Sequence, residues 1–215
     1  MLDFKVDFAL LLYDEFDGSA ISDSNVVFRH EGKIITPLRK GDGFYVFCGI
    51  DRPEIEIAIN RPHYHRKLKR VIKTRLDPGY PVVSVRLTRE YPGNFSDCQW
   101  LHGTGPPNSE VLAFWEDERL RLQSADEATS KLTIPRYVTG GLVGRRFTMS
   151  MKSGETFILT RMTAPGIYLA DRKLPAPLSS GQPIIRAYRS VSGADGSYHI
   201  PIEHGAGKIQ ILDKK

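Results

Sequence analysis

The chain predicts an all-β protein: an N-terminal seven-stranded antiparallel β-sandwich followed by a second β-sandwich or barrel-like domain. Three observations carry this expectation. Short apolar runs alternate with polar residues at period two, turn-forming residues interrupt them about every ten residues, and no stretch sustains a helical period. The 19 glycines and 14 prolines supply the turns, and 215 residues suffice for two cores.

The clearest stretch runs from Gly41 to Ile59. Gly41-Asp42-Gly43 offers the left-handed positions of a tight turn, and Phe44–Phe47 reads as a strand buried on both faces or nearly so. Ile55, Ile57 and Ile59 then alternate with Glu54, Glu56 and Ala58, which places the isoleucines on one face of a half-exposed strand. Upstream, residues 4–13 begin with Phe4, Val6, Phe8 and Leu10 opposite Lys5 and Asp7, and become apolar on both faces further on. A polar crossing over 14–25 leads to a strand at Val26–His30, a hairpin turn at Glu31-Gly32-Lys33, and a return strand Ile34–Leu38 whose Pro37 belongs at a sheet edge. Downstream come the basic run Arg61–Arg75, a turn over Leu76–Pro81 and a last strand Val82–Leu87.

The order of these pieces carries a resemblance. Asp14-x-x-Asp17-Gly18-x-x-Ile21, Val26-Val27-Phe28, Asp42-Gly43-Phe44-Tyr45-Val46-Phe47, Ile55-Glu56-Ile57, Pro62-x-Tyr64 and Val83-Ser84-Val85-Arg86-Leu87 together resemble a carboxypeptidase regulatory-like domain over residues 4–90. The resemblance implies a transthyretin-like sandwich and a non-catalytic module that stiffens, displays or binds within larger assemblies. The same superfamily includes a hydroxyisourate hydrolase ending in Tyr-Arg-Gly-Ser. Here the nearest string, Tyr188-Arg189-Ser190-Val191, is mid-chain, so that activity is not carried over.

Residues 91–109, rich in Gly, Pro and small polar residues, predict a boundary, with Trp100 and Leu101 docking it as a linker. The domains are then 1–90 and 110–215. The second shows further β-like runs at 111–115, 119–122, 131–134, 146–151, 156–160 and 166–169, with room for one short helical turn over Ser124–Ser130. Asp195-Gly196-Ser197-Tyr198 followed by Ile209-Gln210-Ile211 parallels Asp42-Gly43-Phe44-Tyr45 followed by Ile55-Glu56-Ile57; either a duplication or shared turn chemistry accounts for it.

A net charge of +5 is too mild to argue for nucleic acid by itself. The charge is concentrated in 61–75, where Arg66, Lys67, Lys69, Arg70, Lys73 and Arg75 form the candidate partner-binding set. As a strand, this run places Lys67, Lys69, Lys73 and Arg75 on one face with His65, and Leu68 and Ile72 toward the core. Such a row of cations guards an edge strand against aggregation, docks an acidic protein, or binds nucleic acid, the last disfavoured because Tyr64 is its sole aromatic. His63-x-His65 is half of a zinc site without a completing ligand nearby, and His30, His102, His199 and His204 are dispersed, so no metal and no other cofactor is expected.

No nucleophile elbow, phosphate loop or metalloprotease motif occurs, and no catalytic residue is assigned. Cys48 and Cys98 are expected as reduced thiols, Cys48 in the core. The charged N-terminus and the lack of a long apolar run fit synthesis in the cytoplasm without a membrane span. The expectation is therefore a non-enzymatic structural or adaptor protein working with protein partners or copies of itself, of the kind found in phage-tail-like or contractile injection particles. The alternative is a ligand-binding module, most naturally for carbohydrate, with Trp100, Trp115, Tyr137 and Tyr168 as stacking platforms. A hydrolase or metal enzyme built from the dispersed histidines is the third reading.

Overall fold

In the computed structural model, residues 6–126, 128–135, 141–174, 178–207 and 209–214 are described. Among them there is no α-helix, and no helix long and apolar enough to cross a membrane. The chain divides into two compact units: one of residues up to Glu15 and Ser19–Asn94, the other of Phe16–Gly18 and Phe95–Lys215.

The first unit contains β1 (Val6–Asp14), β2 (Val27–His30), β3 (Lys33–Ile35), β4 (Leu38–Arg39), β5 (Phe44–Cys48), β6 (Glu54–Asn60), β7 (Lys67–Ile72) and β8 (Val82–Leu87). They form two four-stranded sheets, β4-β5-β1-β8 and β3-β2-β6-β7. Phe28 of β2 meets Tyr45 and Phe47 of β5 with ring centroids 4.9 and 5.4 Å apart, joining the two inner faces into a sandwich. Ile55, Ile57 and Ile59 are all buried, as their alternation with Glu54 and Glu56 requires. Phe8 to Leu12 are buried without alternation because β1 is an inner strand. Phe4 and Lys5 lie outside the described residues.

Turn chemistry sets the registers. Glu31 (φ 48°) and Gly32 (φ 77°) are both left-handed, the geometry of a two-residue hairpin turn, and they pair His30 with Lys33 across it. Asp42 (φ 57°) and Gly43 (φ 80°) do the same between β4 and β5. Between β3 and β4 the chain leaves the edge of one sheet for the edge of the other at Thr36-Pro37, where no ladder needs the amide proline lacks.

The sandwich departs from uniform antiparallel pairing at one place: β1 and β8 run parallel, Ala9 opposite Val82 through Asp14 opposite Leu87. Parallel partners need a long crossover, and here it comprises β2 through β7, so no local pattern announces it. The unit also has eight strands, because the return run 34–38 splits into β3 and β4.

The second unit contains β9 (Cys98–Thr104), β10 (Glu110–Trp115), β11 (Ser124–Asp126), β12 (Lys131–Thr133), β13 (Arg146–Thr148), β14 (Phe157–Ala164), β15 (Ile167–Ala170), β16 (Ile185–Val191), β17 (Ser197–Glu203) and β18 (Ile209–Lys214). Its main sheet has the order β11-β12-β15-β14-β13-β16-β10-β18. Residues 120–122, just before β11, hydrogen-bond to 181–184, just before β16: the Leu122 N–H donates to the Gln182 carbonyl at 2.9 Å and the Ile184 N–H to the Leu120 carbonyl at 2.9 Å. The ladder from β11 to β16 thus curls into a small barrel. Leu122, Leu132, Ile134, Phe147, Phe157 and Leu159 fill it, as side chains fill barrels of this size. The ribbon of β9 and β17 has its own apolar cluster, in which Tyr198, Ile200 and Ile202 pack with Val111, Ala113 and Tyr188 of β10 and β16.

Several expectations change here. The stretch 91–109 carries a full strand, β9, paired with β17. Ser124–Asp126 is a strand and not a helical turn, because its backbone pairs with β12; Asp126 then closes the turn by accepting the Ala128 N–H at 3.0 Å. Of the two free cysteines Cys98 is the buried one, while Cys48 is half-buried on the outer face of β5. The parallel between the two Asp-Gly hairpins does not extend to pairing. β2 adjoins β6, whereas β10 separates β16 from β18, so shared turn chemistry accounts for the likeness.

Candidate partner-binding edge

β7 is the last strand of its sheet, six residues long and paired on one side with β6. The register fixes which way its side chains point: Ile55 faces Val71, Ile57 faces Lys69 and Ile59 faces Lys67. Directly opposed residues share a face, so the odd positions of β7 look inward. Val71 is accordingly 1% exposed and Leu68 is 53% exposed. The expectation that Leu68 and Ile72 face the core is corrected: one valine in register with three isoleucines outweighs two apolar residues on the opposite parity. Lys67 and Lys69 therefore stand on the core side of an edge strand, with aliphatic stems along the rim and ammonium groups reaching water.

The six cations of the predicted set divide into two groups. Arg70 forms a two-pronged ion pair with Glu54, its Nη2 donating to Oε2 at 2.6 Å and its Nε to Oε1. Lys73 begins the 3₁₀ turn Lys73–Arg75 and donates to Asp7 at 2.9 Å and to the Ile50 carbonyl. Asp7 also accepts the Ile50 N–H at 2.8 Å. Burial pushes the Asp7 carboxyl up, but the Ile50 N–H and the Lys73 ammonium outweigh it and hold it below the ordinary carboxylate value. These two cations are structural. Arg66, Lys67 and Lys69 make no ion pair among the described residues, and Arg75 is exposed with a longer-range pull on Glu54.

His63 and His65 are not on a strand face. His63 lies in a turn with left-handed backbone (φ 65°), and an isolated Tyr64–Arg89 bridge follows, in which the His63 carbonyl accepts the Glu90 N–H at 2.8 Å and the His65 N–H donates to the Thr88 carbonyl at 2.9 Å. His65 approaches Glu90 at 3.9 Å. His30 is engaged by the Glu56 carbonyl at 2.9 Å and His204 by the Ser96 carbonyl at 3.2 Å. Among the described residues no three metal-ligating side chains converge.

The candidate stacking residues are dispersed. Tyr168 is buried in the barrel interior and Trp115 packs at the edge of the β10–β16 cluster. Trp100 is half-buried on β9, and Tyr137 lies outside the described residues.

Sequence reasoning did not single out a cleft of about 290 Å³ at the β3–β4 crossing, walled by Val26, Phe28, Ile34, Pro37 and Tyr45, with Asp23 and Arg39 among its polar groups. The Tyr45 hydroxyl donates to the Asp23 carbonyl at 3.0 Å, and burial, with Asp23 beside it, pushes this phenol up to about 12. The signal for the cleft was Pro37, whose break in the edge strand leaves the sandwich open there.

The fold and this edge define an all-β protein with an open, basic sheet margin. The chain matches no family model, no curated protein and no solved structure.

Proposed function

We propose that the protein is a non-enzymatic adaptor or structural component of a multi-protein assembly, and that its first unit docks an acidic, extended segment of a protein partner along the free edge of β7. The observation that carries this reading is a six-residue edge strand beside which Arg66, Lys67, Lys69 and Arg75 stand without a closely bonded carboxylate. An added strand would supply backbone hydrogen bonds, and its carboxylates would meet the cations. In the unbound chain the same lysines discourage pairing with uncharged edges. A carboxypeptidase regulatory-like module suits this role. Membership of a phage-tail-like or contractile particle is the finer form of the proposal and rests on analogy of fold.

A second reading is favoured by the β3–β4 cleft, whose apolar walls and Tyr45 suit a small ligand such as a sugar. The test is purification from native cells at low and high salt, followed by mass spectrometry and imaging. Recovery in a large complex that dissolves at high salt supports docking at the basic edge. Recovery as a free monomer at both salts counts against it, and a glycan array then tests the cleft.

A further inference from the structure

The β9–β17 ribbon brings together two histidines that lie far apart in sequence. Its register sets His199 directly opposite His102. Further along, the Gly105 N–H donates to the opposed Gly196 carbonyl at 2.9 Å. Pairs alternate along an antiparallel ladder, so His102 and His199 occupy a non-hydrogen-bonded position, where opposed side chains stand closest. Their Nδ1 atoms are 2.6 Å apart, with ring centroids at 4.9 Å and planes at 78°. On the other face of the ribbon the buried Tyr198 ring covers Gly103 so closely that a Cβ there would strike its hydroxyl. That contact resists a slip of register, and the two imidazoles are held in place by the strands that carry them.

We propose that His102 and His199 form a surface chelate for a divalent transition metal of the imidazole-preferring class, Zn²⁺, Ni²⁺ or Cu²⁺, bound through both Nδ1 atoms with water in its remaining positions. Imidazole suits this class of ions. Metal–nitrogen bonds of about 2.0–2.1 Å place two adjacent ligand nitrogens roughly 2.9 Å apart at a right angle and roughly 3.4 Å apart at the tetrahedral angle, so from 2.6 Å the rings need open by about 0.3–0.8 Å. Without metal, the neutral pair shares one proton in an Nδ1–H···Nδ1 hydrogen bond. On binding, the donor ring shifts that proton to Nε2, both Nδ1 lone pairs face the ion, and the neutral pair releases no proton. The carboxylate of Asp195 is occupied by the Ser197 N–H at 3.0 Å and the Ser197 hydroxyl at 2.7 Å, so it is not counted as a ligand.

Trp100 serves as an internal reporter, two residues from His102 on the same face of β9 and therefore about 7 Å along the strand. Tag-free full-length protein is titrated with NiCl₂, following heat and tryptophan emission. The expected result is one Ni²⁺ per chain with quenching of Trp100 emission. His102→Ala and His199→Ala should each weaken binding at least about tenfold, since losing a ligand costs no less than losing a supporting residue. His204→Ala and His63→Ala should bind as the parent does. Parent protein that takes up no Ni²⁺, binding without quenching, or unchanged affinity in the His102→Ala and His199→Ala chains would each overturn the assignment.

Discussion

Replacing Asp14 by alanine should remove a large part of the first unit's stability. Asp14 ends β1 with 2% of its surface exposed, and Arg89 and Tyr64 are buried around it. Its Oδ2 accepts the Tyr64 hydroxyl at 2.6 Å and the Arg89 Nε at 2.8 Å. Burial, together with the Asp14 charge, pushes the Tyr64 phenol far up, so it remains a protonated donor throughout the accessible range. Removing the carboxylate breaks a buried ion pair and takes the acceptor from the Tyr64 hydroxyl, a change that costs about 3–5 kcal/mol. For a unit of this size each kcal/mol corresponds to about 4–8 °C, so the melting transition of the unit should fall by roughly 12–40 °C. Both tryptophans lie in the second unit, so urea melts are followed by far-UV circular dichroism, with hydrogen exchange of β1 and β8 amides locating the loss. The double variant Asp14→Leu/Arg89→Met removes both charges and should recover most of it. A loss below about 1 kcal/mol in Asp14→Ala, with Arg89 intact, would refute the buried-pair reasoning.

The register of β7 is tested by a pair of substitutions. Leu68→Gln should change stability by no more than about 0.5 kcal/mol, and Val71→Ala should cost about 2 kcal/mol from lost methyl groups and the cavity left; the reverse order in urea melts would restore the register with Leu68 inside. The Asp7–Lys73 pair makes a pH-dependent contribution. Because the folded Asp7 carboxyl lies below its ordinary value, its stabilisation is complete above about pH 5 and is lost as pH falls through the folded value. Asp7→Asn should therefore cost about 1–3 kcal/mol at pH 7 and progressively less below pH 4. A cost that stays constant down to pH 2 would contradict the charge-based account.

Local signals made the hairpins and the strands legible. Glu31-Gly32 and Asp42-Gly43 carry the left-handed residues their turns use, and Ile55, Ile57 and Ile59 marked the core face of β6 by alternation. What escaped the sequence was pairing over distance. The parallel contact of β1 with β8, and the closure of the barrel by 120–122 against 181–184, join residues whose local patterns are silent about their partners. β7 escaped for a related reason: its own composition offers two apolar residues on one parity and one on the other, and only β6 decides between them. The histidines show the same limit. His63 and His65 drew notice by spacing, yet His63 lies in a turn and they share no strand face, while His102 and His199 meet because their strands pair.

The most direct test of the proposed role is to reverse the charge of the cations at and just before β7, Arg66→Glu, Lys67→Glu and Lys69→Glu together, and compare what the parent and variant chains retain when purified from native cells. These residues are not engaged in ion pairs among the described residues, so the variant should fold as the parent does. The account predicts a partner with an acidic segment that copurifies with the parent at low salt, leaves at high salt, and is absent from the variant. The same partner recovered in equal amount with the folded variant would contradict it.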